Sequence, residues 1–551
     1  MAIGYTIPAF LLTSLCILLL DNFTYTLFRF GIVSTSGVTR ALYTALFVTG
    51  FIYLYFKLLS FHELLASFFT RVKPSSRKRA MIVVFVIAIA GALLPADITH
   101  TSSQIAAQPG RKINNATPPD ILLITVDGVN AEYTSLDNSE IGTTPFLLEI
   151  SSESMNARNT FSNAQGTIGS LTAILTGRHP VDTRVIYSSD MLQAGDAYKH
   201  LPGILRNYGY YTAQLSNPQY ADAYKANFQG AFTEANGRSI EQNAIMFALS
   251  NVYPGVEHIF HQEVIERLSA RLGHIFFIND MANPYDQVVS AAVKFDDQSK
   301  LDRVFELLEH SSQPVFIHLH WMGTHGPIYH PDQQVFSQGL DFDQQDENKQ
   351  LFYFDSLLEF DRAVEKIYTY LDDHGQLENT ILIVTSDHTK GWTNGRVPLL
   401  IRFPKQQPGS VITTNVQTID IAPTLLSYLG IKAPNWMAGR SLLATPLEDE
   451  PIFAAKIPKS NKDPLTNKIV YPESEAPFYQ FGRISVIECS QWFELDLQAK
   501  TLTSGLVRDH QAPCAEESDE TQALALIINH LERYGFDTSS LNQLEIKLRN
   551  Q

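Results

Sequence analysis

Three apolar stretches crowd the first hundred residues, and beyond them the pattern changes to short apolar runs alternating with amphipathic segments. Residues 2–20, "AIGYTIPAFLLTSLCILLL", carry no charge, residues 41–61, "ALYTALFVTGFIYLYFKLLSF", carry only Lys57, and residues 80–96, "AMIVVFVIAIAGALLPA", are again uncharged. Each approaches the roughly 20 apolar residues that cross a bilayer, which predicts a membrane domain of three helices over residues 1–96. A cleaved signal peptide accounts for one such segment but not three, and no basic region precedes the first. Arg71, Lys73, Arg77, Lys78 and Arg79 cluster between the second and third stretches. Such clusters stay cytoplasmic, so the N-terminus is expected inside and everything after Ala96 outside, as in a multi-pass inner-membrane protein with an extracytoplasmic (periplasmic) domain.

Residues 97–118 are polar and read as a linker. From residue 119 the periodicity is that of a layered protein. "DILLITVDG", "QPVFIHLHWMG" and "TILIVTSDH" are short apolar runs that end in polar residues, as buried parallel strands do. "TPFLLEISSES" and "FDSLLEFDRAVEKIYTYLDDHG" are helix-like, and "LPGILRNYGYYTAQLSN" reads as helix, glycine stop, then strand. Strands alternating with helices predict an α/β doubly wound sheet with helices on both faces, over residues 119–450. A helical insertion is expected near 228–295, and residues 451–551, with "YQFGRISVIE" and "SQWFELDLQAKTL", form a small C-terminal subdomain. Ligands of such sheets sit beyond the carboxyl ends of the strands, which puts Asp127, the loop after His320, and Asp387–His388 on one rim.

Charge and cysteine content narrow the picture. The net charge of −16 argues against a nucleic-acid partner. Cys16 falls in the first apolar stretch, while Cys489 and Cys514 both lie on the outer side, where a disulfide is allowed. Asp387 and His388 are adjacent oxygen and nitrogen donors at a strand end, suited to one divalent cation. "HLHWMGTHGPIYHP" holds four histidines: His318 and His320 share one face of a strand by the period of two, while His325 follows in a loop, where exposure and function are expected.

The order strand–Asp127, "GTIGSLTAILTGRHP", "GYYTAQLSN", "MGTHGPIYHP", "EFDRAV", "NTILIVTSDH", "VPLLIRFP", "TIDIAPTLLSYLGI", "GRSLL" resembles the sulfatase branch of the alkaline phosphatase superfamily across residues 119–445. The sulfatase Cys-x-Pro-x-Arg signature is replaced by Thr167-Ile168-Gly169-Ser170-Leu171. A threonine cannot become the formylglycine on which sulfatase turnover relies. The phosphoryl-transferring members use an unmodified hydroxyl at this position, so the resemblance implies Thr167 as nucleophile. It further implies a metal set of Asp127, Thr167, Asp387 and His388, like that of membrane-anchored phosphoethanolamine and phosphoglycerol transferases. An imidazole in that set favours Zn²⁺ or Mn²⁺ over Ca²⁺. One metal is expected, since the two-metal members need further histidines and none occurs between His388 and His510.

His325 is the candidate for protonating the leaving group or holding a phosphate oxygen, and Asn217, Arg178 and Lys390 are candidates for binding substrate. The expected function is transfer of a phospho-head group from a lipid donor to an envelope acceptor, with a phospholipid or envelope glycan as substrate and the membrane as partner. Two alternatives stand beside it: a phosphodiesterase or sulfuric ester hydrolase, and a catalytically silent lipid-binding or regulatory relative.

Overall fold

The computed structural model describes residues 3–28, 38–71, 118–187, 190–239, 268, 272, 296–390, 394–405, 409–458, 461–462, 469–470, 476–511, 518–541 and 544. Two units emerge, residues 1–103 with 248–287, and residues 104–247 with 288–551.

In the first unit the helices Ile3–Phe28 and Val38–Arg71 pack together around Ile17, Tyr43 and Phe47. Their remaining surface is apolar, with Leu11, Leu15, Leu19, Leu46, Ile52 and Phe56 all exposed. Helices apolar all round are built for an apolar surrounding. Among the described residues, Ala41–Phe61 alone is long and apolar enough to cross a membrane, where three spans were expected. In the first helix the apolar stretch among the described residues is the shorter Tyr5–Asp21. The third expected span, 80–96, lies outside the described residues, as do the linker to residue 117 and most of the helical insertion (240–295, apart from 268 and 272).

The second unit is built on a nine-stranded sheet. Its strands in chain order are β1 (Asp120–Val126), β2 (Met155–Ala157), β3 (Tyr211–Leu215), β4 (Glu234–Ala235), β5 (Arg238–Ser239), β6 (Val315–Trp321), β7 (Thr380–Ser386), β8 (Leu399–Arg402) and β9 (Ser410–Ile412). The spatial order is β9-β2-β8-β7-β1-β6-β3-β4-β5. The centre, β7-β1-β6-β3, is parallel, whereas β8 runs antiparallel to both β7 and β2, so the sheet is mixed. Alternate residues of each central strand feed two separate cores. Ile121, Leu123, Phe316, Ile381 and Ile383 join the helices Thr167–Thr176, Leu201–Asn207 and Ile421–Tyr428 on one face. Leu122, Ile124, Ile317, Leu319, Leu382 and Val384 join the helices Pro145–Ile150, Asp297–His310 and Lys349–Asp373 on the other. Burial on both faces is what the unbroken apolar runs demanded.

Beyond the main sheet, β10 (Ile452–Lys456), β11 (Arg483–Glu488), β12 (Gln491–Asp496) and β13 (Thr501–Leu506) form an antiparallel sheet covered by the helix Glu520–Arg533. Cys489 is disulfide-bonded and Cys16 is free, while Cys514 lies outside the described residues.

Candidate active site

The parallel register of β1 with its neighbours ends the three central strands at one level, Val126 opposite Trp321 and Ser386. The chain leaves β1 through Asp127-Gly128 and β7 through Asp387-His388, so three of the polar side chains meet without any long loop. Gly128 is required here. It adopts φ +60°, its N–H donates to Asp387 Oδ1 at 3.0 Å, and a Cβ would meet the His388 ring at 3.6 Å. Asp127 is held from behind, where the Thr324 hydroxyl donates to its backbone carbonyl at 2.6 Å.

Thr167 is the first residue of the helix Thr167–Thr176, whose N-cap, Gly166, offers no side chain. Its hydroxyl donates to Asp127 Oδ2 at 3.1 Å. The positive end of the helix therefore faces the same point as the carboxylates. The residue four positions on, where the sulfatase signature carries arginine, is Leu171, which is buried in the core. No cation can reach the site from there. Lys390 enters from the other side: its ammonium contacts the Tyr329 hydroxyl and lies 3.9 Å from the centre of the Tyr353 ring. Burial, helped by Lys349, pulls its pKa down to about 8, against the pull of Asp127.

Asp127, Asp387 and His388 present one ligand atom each within 4.8 Å of one another. His388 Nδ1 faces the Thr389 carbonyl at 2.9 Å, which leaves Nε2, 3.4 Å from Asp387 Oδ2, as the lone-pair nitrogen. Asp387 is fully buried. Its Oδ1 accepts the N–H groups of Gly128 and His388, whereas Oδ2 has no hydrogen-bond partner among the described residues. Burial pushes this carboxyl up to about 6, the His388 charge and the two N–H donors pulling it down and Asp127 adding to the rise. Burial opposes charge on His388 too, but Asp387 and Asp127 outweigh it and raise its pKa. A divalent cation would relieve both carboxylates at once, so the donor set fits the metal that the sequence implied.

A cavity of about 500 Å³ opens over these groups, lined by Asp127, Thr167, His388, Lys390 and His325 together with Tyr220, Thr324 and Gln165. His325 packs against Tyr220, ring centres 4.7 Å apart. Two expected substrate contacts are not in the lining. Asn217 turns its Oδ1 to the Gln219 N–H at 2.9 Å, closing the turn that carries Tyr220. Arg178, 3% exposed, is committed to Asp182 at 2.6 Å and Asp196 at 3.2 Å. Tyr220 and Tyr329 were not legible as site residues, since a lone tyrosine in a loop carries no sequence signal.

Comparison with known proteins agrees with this fold. The sulfatase family model matches residues 119–431. A human N-sulphoglucosamine sulphohydrolase is 22% identical over 411 residues, 69% of this chain and 76% of that protein. The extracellular sulfatase SULF-1 homolog of Drosophila melanogaster is 38% identical over 102 residues, which make up only 16% of this chain and 9% of that relative. Among solved structures, the phosphonate monoester hydrolase SpPMH from Silicibacter pomeroyi superposes with a TM-score of 0.52 at 16% identity, covering 77% of this chain and 97% of that one. The fold is that of these alkaline phosphatase superfamily enzymes, and with more than half of its length matched the chain belongs to the sulfatase family.

Proposed function

We propose that the chain is a metal-dependent ester hydrolase that attacks with the Thr167 hydroxyl, and that its substrate is a phosphate diester rather than a sulfate ester. One observation carries this reading: at the position of the sulfatase nucleophile stands an unmodified alcohol, at the head of a helix and 3.1 Å from a carboxylate beside the Asp387–His388 pair. Asp127, Thr167, Asp387 and His388 would hold the cation, and Zn²⁺ or Mn²⁺ suits a set that contains imidazole. The cation would lower the pKa of the hydroxyl and offset charge on the ester oxygens.

The chain's own groups do the rest. Asp127 Oδ2 orients the Thr167 hydroxyl and takes its proton. Thr167 Oγ1 bonds to phosphorus as the bond to the leaving oxygen breaks, and His325 protonates that oxygen. Water, giving a proton back to His325, then attacks phosphorus as the bond to Oγ1 breaks, and Oγ1 recovers its proton from Asp127. The helix N-terminus and the Lys390 ammonium offset the negative charge gathered on the phosphoryl oxygens. A formylglycine hydrate can expel sulfate by collapsing to its aldehyde, whereas a threonine ester has no such exit and needs a second attack on the central atom. That requirement favours phosphorus.

A second reading replaces water by an acceptor hydroxyl and takes the donor from a phospholipid head group. The exposed apolar helix Ala41–Phe61 supports it, because an anchor holds an active site near lipid. A sugar-ester substrate has support from a relative named for a sulfated glucosamine, the sulphohydrolase above.

The test is turnover of bis(4-nitrophenyl) phosphate against 4-nitrophenyl sulfate by the full-length protein in detergent, with and without added Zn²⁺. Diester cleavage that Thr167→Ala abolishes while the metal stays bound is expected. Undiminished turnover in that variant overturns the proposal.

A further inference from the structure

Beneath the cation site, on the face of the sheet that carries the Thr167 helix, the apolar alternation is broken by Thr125, His318 and His320. All three are wholly buried, and Thr125 pairs with His320 in the β1–β6 register. The Thr125 hydroxyl has one proton and three neighbours: His320 Nδ1 at 2.9 Å, His318 Nε2 at 3.1 Å and the Leu319 carbonyl at 3.4 Å. The other ring nitrogen of His320, Nε2, has no hydrogen-bond partner among the described residues. It points between the two carboxylates, 3.9 Å from Asp387 Oδ2 and 4.0 Å from Asp127 Oδ2. Asp387 Oδ2 is without a partner as well.

Each unpaired buried polar atom costs roughly 1–3 kcal/mol, so two of them facing one another across a gap call for a third body. The gap is too wide for a direct hydrogen bond. It suits an ion: two donors bound to one metal at about 2.0–2.2 Å lie no more than roughly 4.4 Å apart, and both separations fall inside that limit. We infer that His320 Nε2 is a further nitrogen donor to the cation shared by Asp127 and Asp387, in addition to His388. The inference rests on the metal reading above.

Thr125 makes this possible. When its hydroxyl accepts from His320 Nδ1–H, with its own proton turned to Leu319, the Nε2 lone pair is left bare toward the carboxylates. The hydroxyl thus selects the tautomer, as the outer partner of a metal-bound histidine commonly does. A second imidazole also sharpens the metal preference, since each nitrogen donor moves the site further from the all-oxygen cages of Ca²⁺ and Mg²⁺.

The experiment uses full-length protein in detergent, stripped by a chelator. Zn²⁺ affinity is read by competition with a chromophoric chelator, and the visible spectrum of the Co²⁺ form reports the donor set. His320→Ala is expected to weaken Zn²⁺ binding at least roughly tenfold and to change the Co²⁺ bands, and Thr125→Val to weaken it by less at unchanged stoichiometry. Unfolding in chelator checks that both variants fold. Should His320→Ala not fold, Thr125→Val decides, and unaltered affinity in it overturns the inference. If His388→Ala loses the metal while His320→Ala keeps wild-type affinity and spectrum, this inference alone fails. A wild-type chain that binds neither ion defeats the metal reading and the inference together.

Discussion

Four buried aspartates in this molecule look alike in sequence and differ in what their oxygens do. Asp355 accepts the N–H groups of Val335, Phe336 and Ser337 and the Ser337 hydroxyl. Asp361 takes the N–H of Phe146 on one oxygen and that of Leu147 on the other, and Asp420 does the same for Gln417 and Arg440. In these three, both oxygens are occupied and the carboxylate ties a loop or helix end to the fold. Asp387 is as deeply buried, yet Oδ1 accepts two N–H groups and Oδ2 none. An acid that closes its valences serves the structure. One that leaves an oxygen open, facing another carboxylate and two imidazoles, is poised for a ligand the polypeptide does not supply.

The contrast can be broken at several points. The largest effect is expected at the nucleophile: Thr167→Ala should lower diester turnover by at least roughly 10³ with the cation still bound, whereas Asp387→Ala should lose both activity and metal, as paired turnover and metal analysis would show. Next comes stability. Asp355→Ala orphans three N–H groups and a hydroxyl and should cost on the order of 3 kcal/mol in denaturant unfolding. Asp387→Ala measured in chelator orphans two N–H groups but also removes a buried carboxylate whose cation is absent, so it should cost less than Asp355→Ala. An Asp387→Ala loss as large as that of Asp355→Ala would make Asp387 one more structural acid.

Acidity sharpens the same contrast. Burial raises the folded-state pKa of Asp387 to about 6 from the ordinary aspartate value of 3.8. At this carboxyl the native protein therefore binds more protons than the unfolded chain across that window, and the carboxyl's contribution to stability falls as pH rises from about 4 to about 6. In chelator, Asp387→Asn should flatten that slope, and Zn²⁺ should remove it in the wild type, both read from unfolding midpoints across pH. Asp361 and Asp420, each pushed up to about 7 by burial, keep their share of the slope in every case. The smallest effect is at Asn217: its own side chain lies outside the cavity lining and the backbone bond to Tyr220 survives the change, so Asn217→Ala should leave turnover within about twofold.

Much of the fold was legible because the chemistry of a two-sided sheet is written locally. The runs from Ile121, Val315 and Ile381 are mostly apolar, interrupted only by Thr125, by His318 and His320, and by Thr385 before the rim, and Asp127 and Asp387–His388 stand on that rim in the structure. The antiparallel turn of β8 was not legible, since "LLIR" reads the same in either direction. Arg178 was read as a substrate contact from its charge and Asn217 from its place in the resemblance, and neither reveals partners: Asp182 and Asp196 claim one and Gln219 the other. His320 shows the opposite limit. The period of two correctly placed it with His318 on one buried face, yet nothing along β6 announced that the carboxylates of Asp127 and Asp387 converge above it.

By itself, the sequence determined the alternation of strand and helix, the apolar helices at the start, and the exchange of a modifiable cysteine for a threonine. Those are local properties, set by side-chain periodicity and by the identity of one atom. Tertiary structure alone decided which buried polar atoms find partners and which are left open. Hydrogen bonds and charges act over a few ångströms in space, between residues such as Asp127, Thr167, His320 and Asp387 that are far apart along the chain, and only the register of β1 between β6 and β7 brings them within reach.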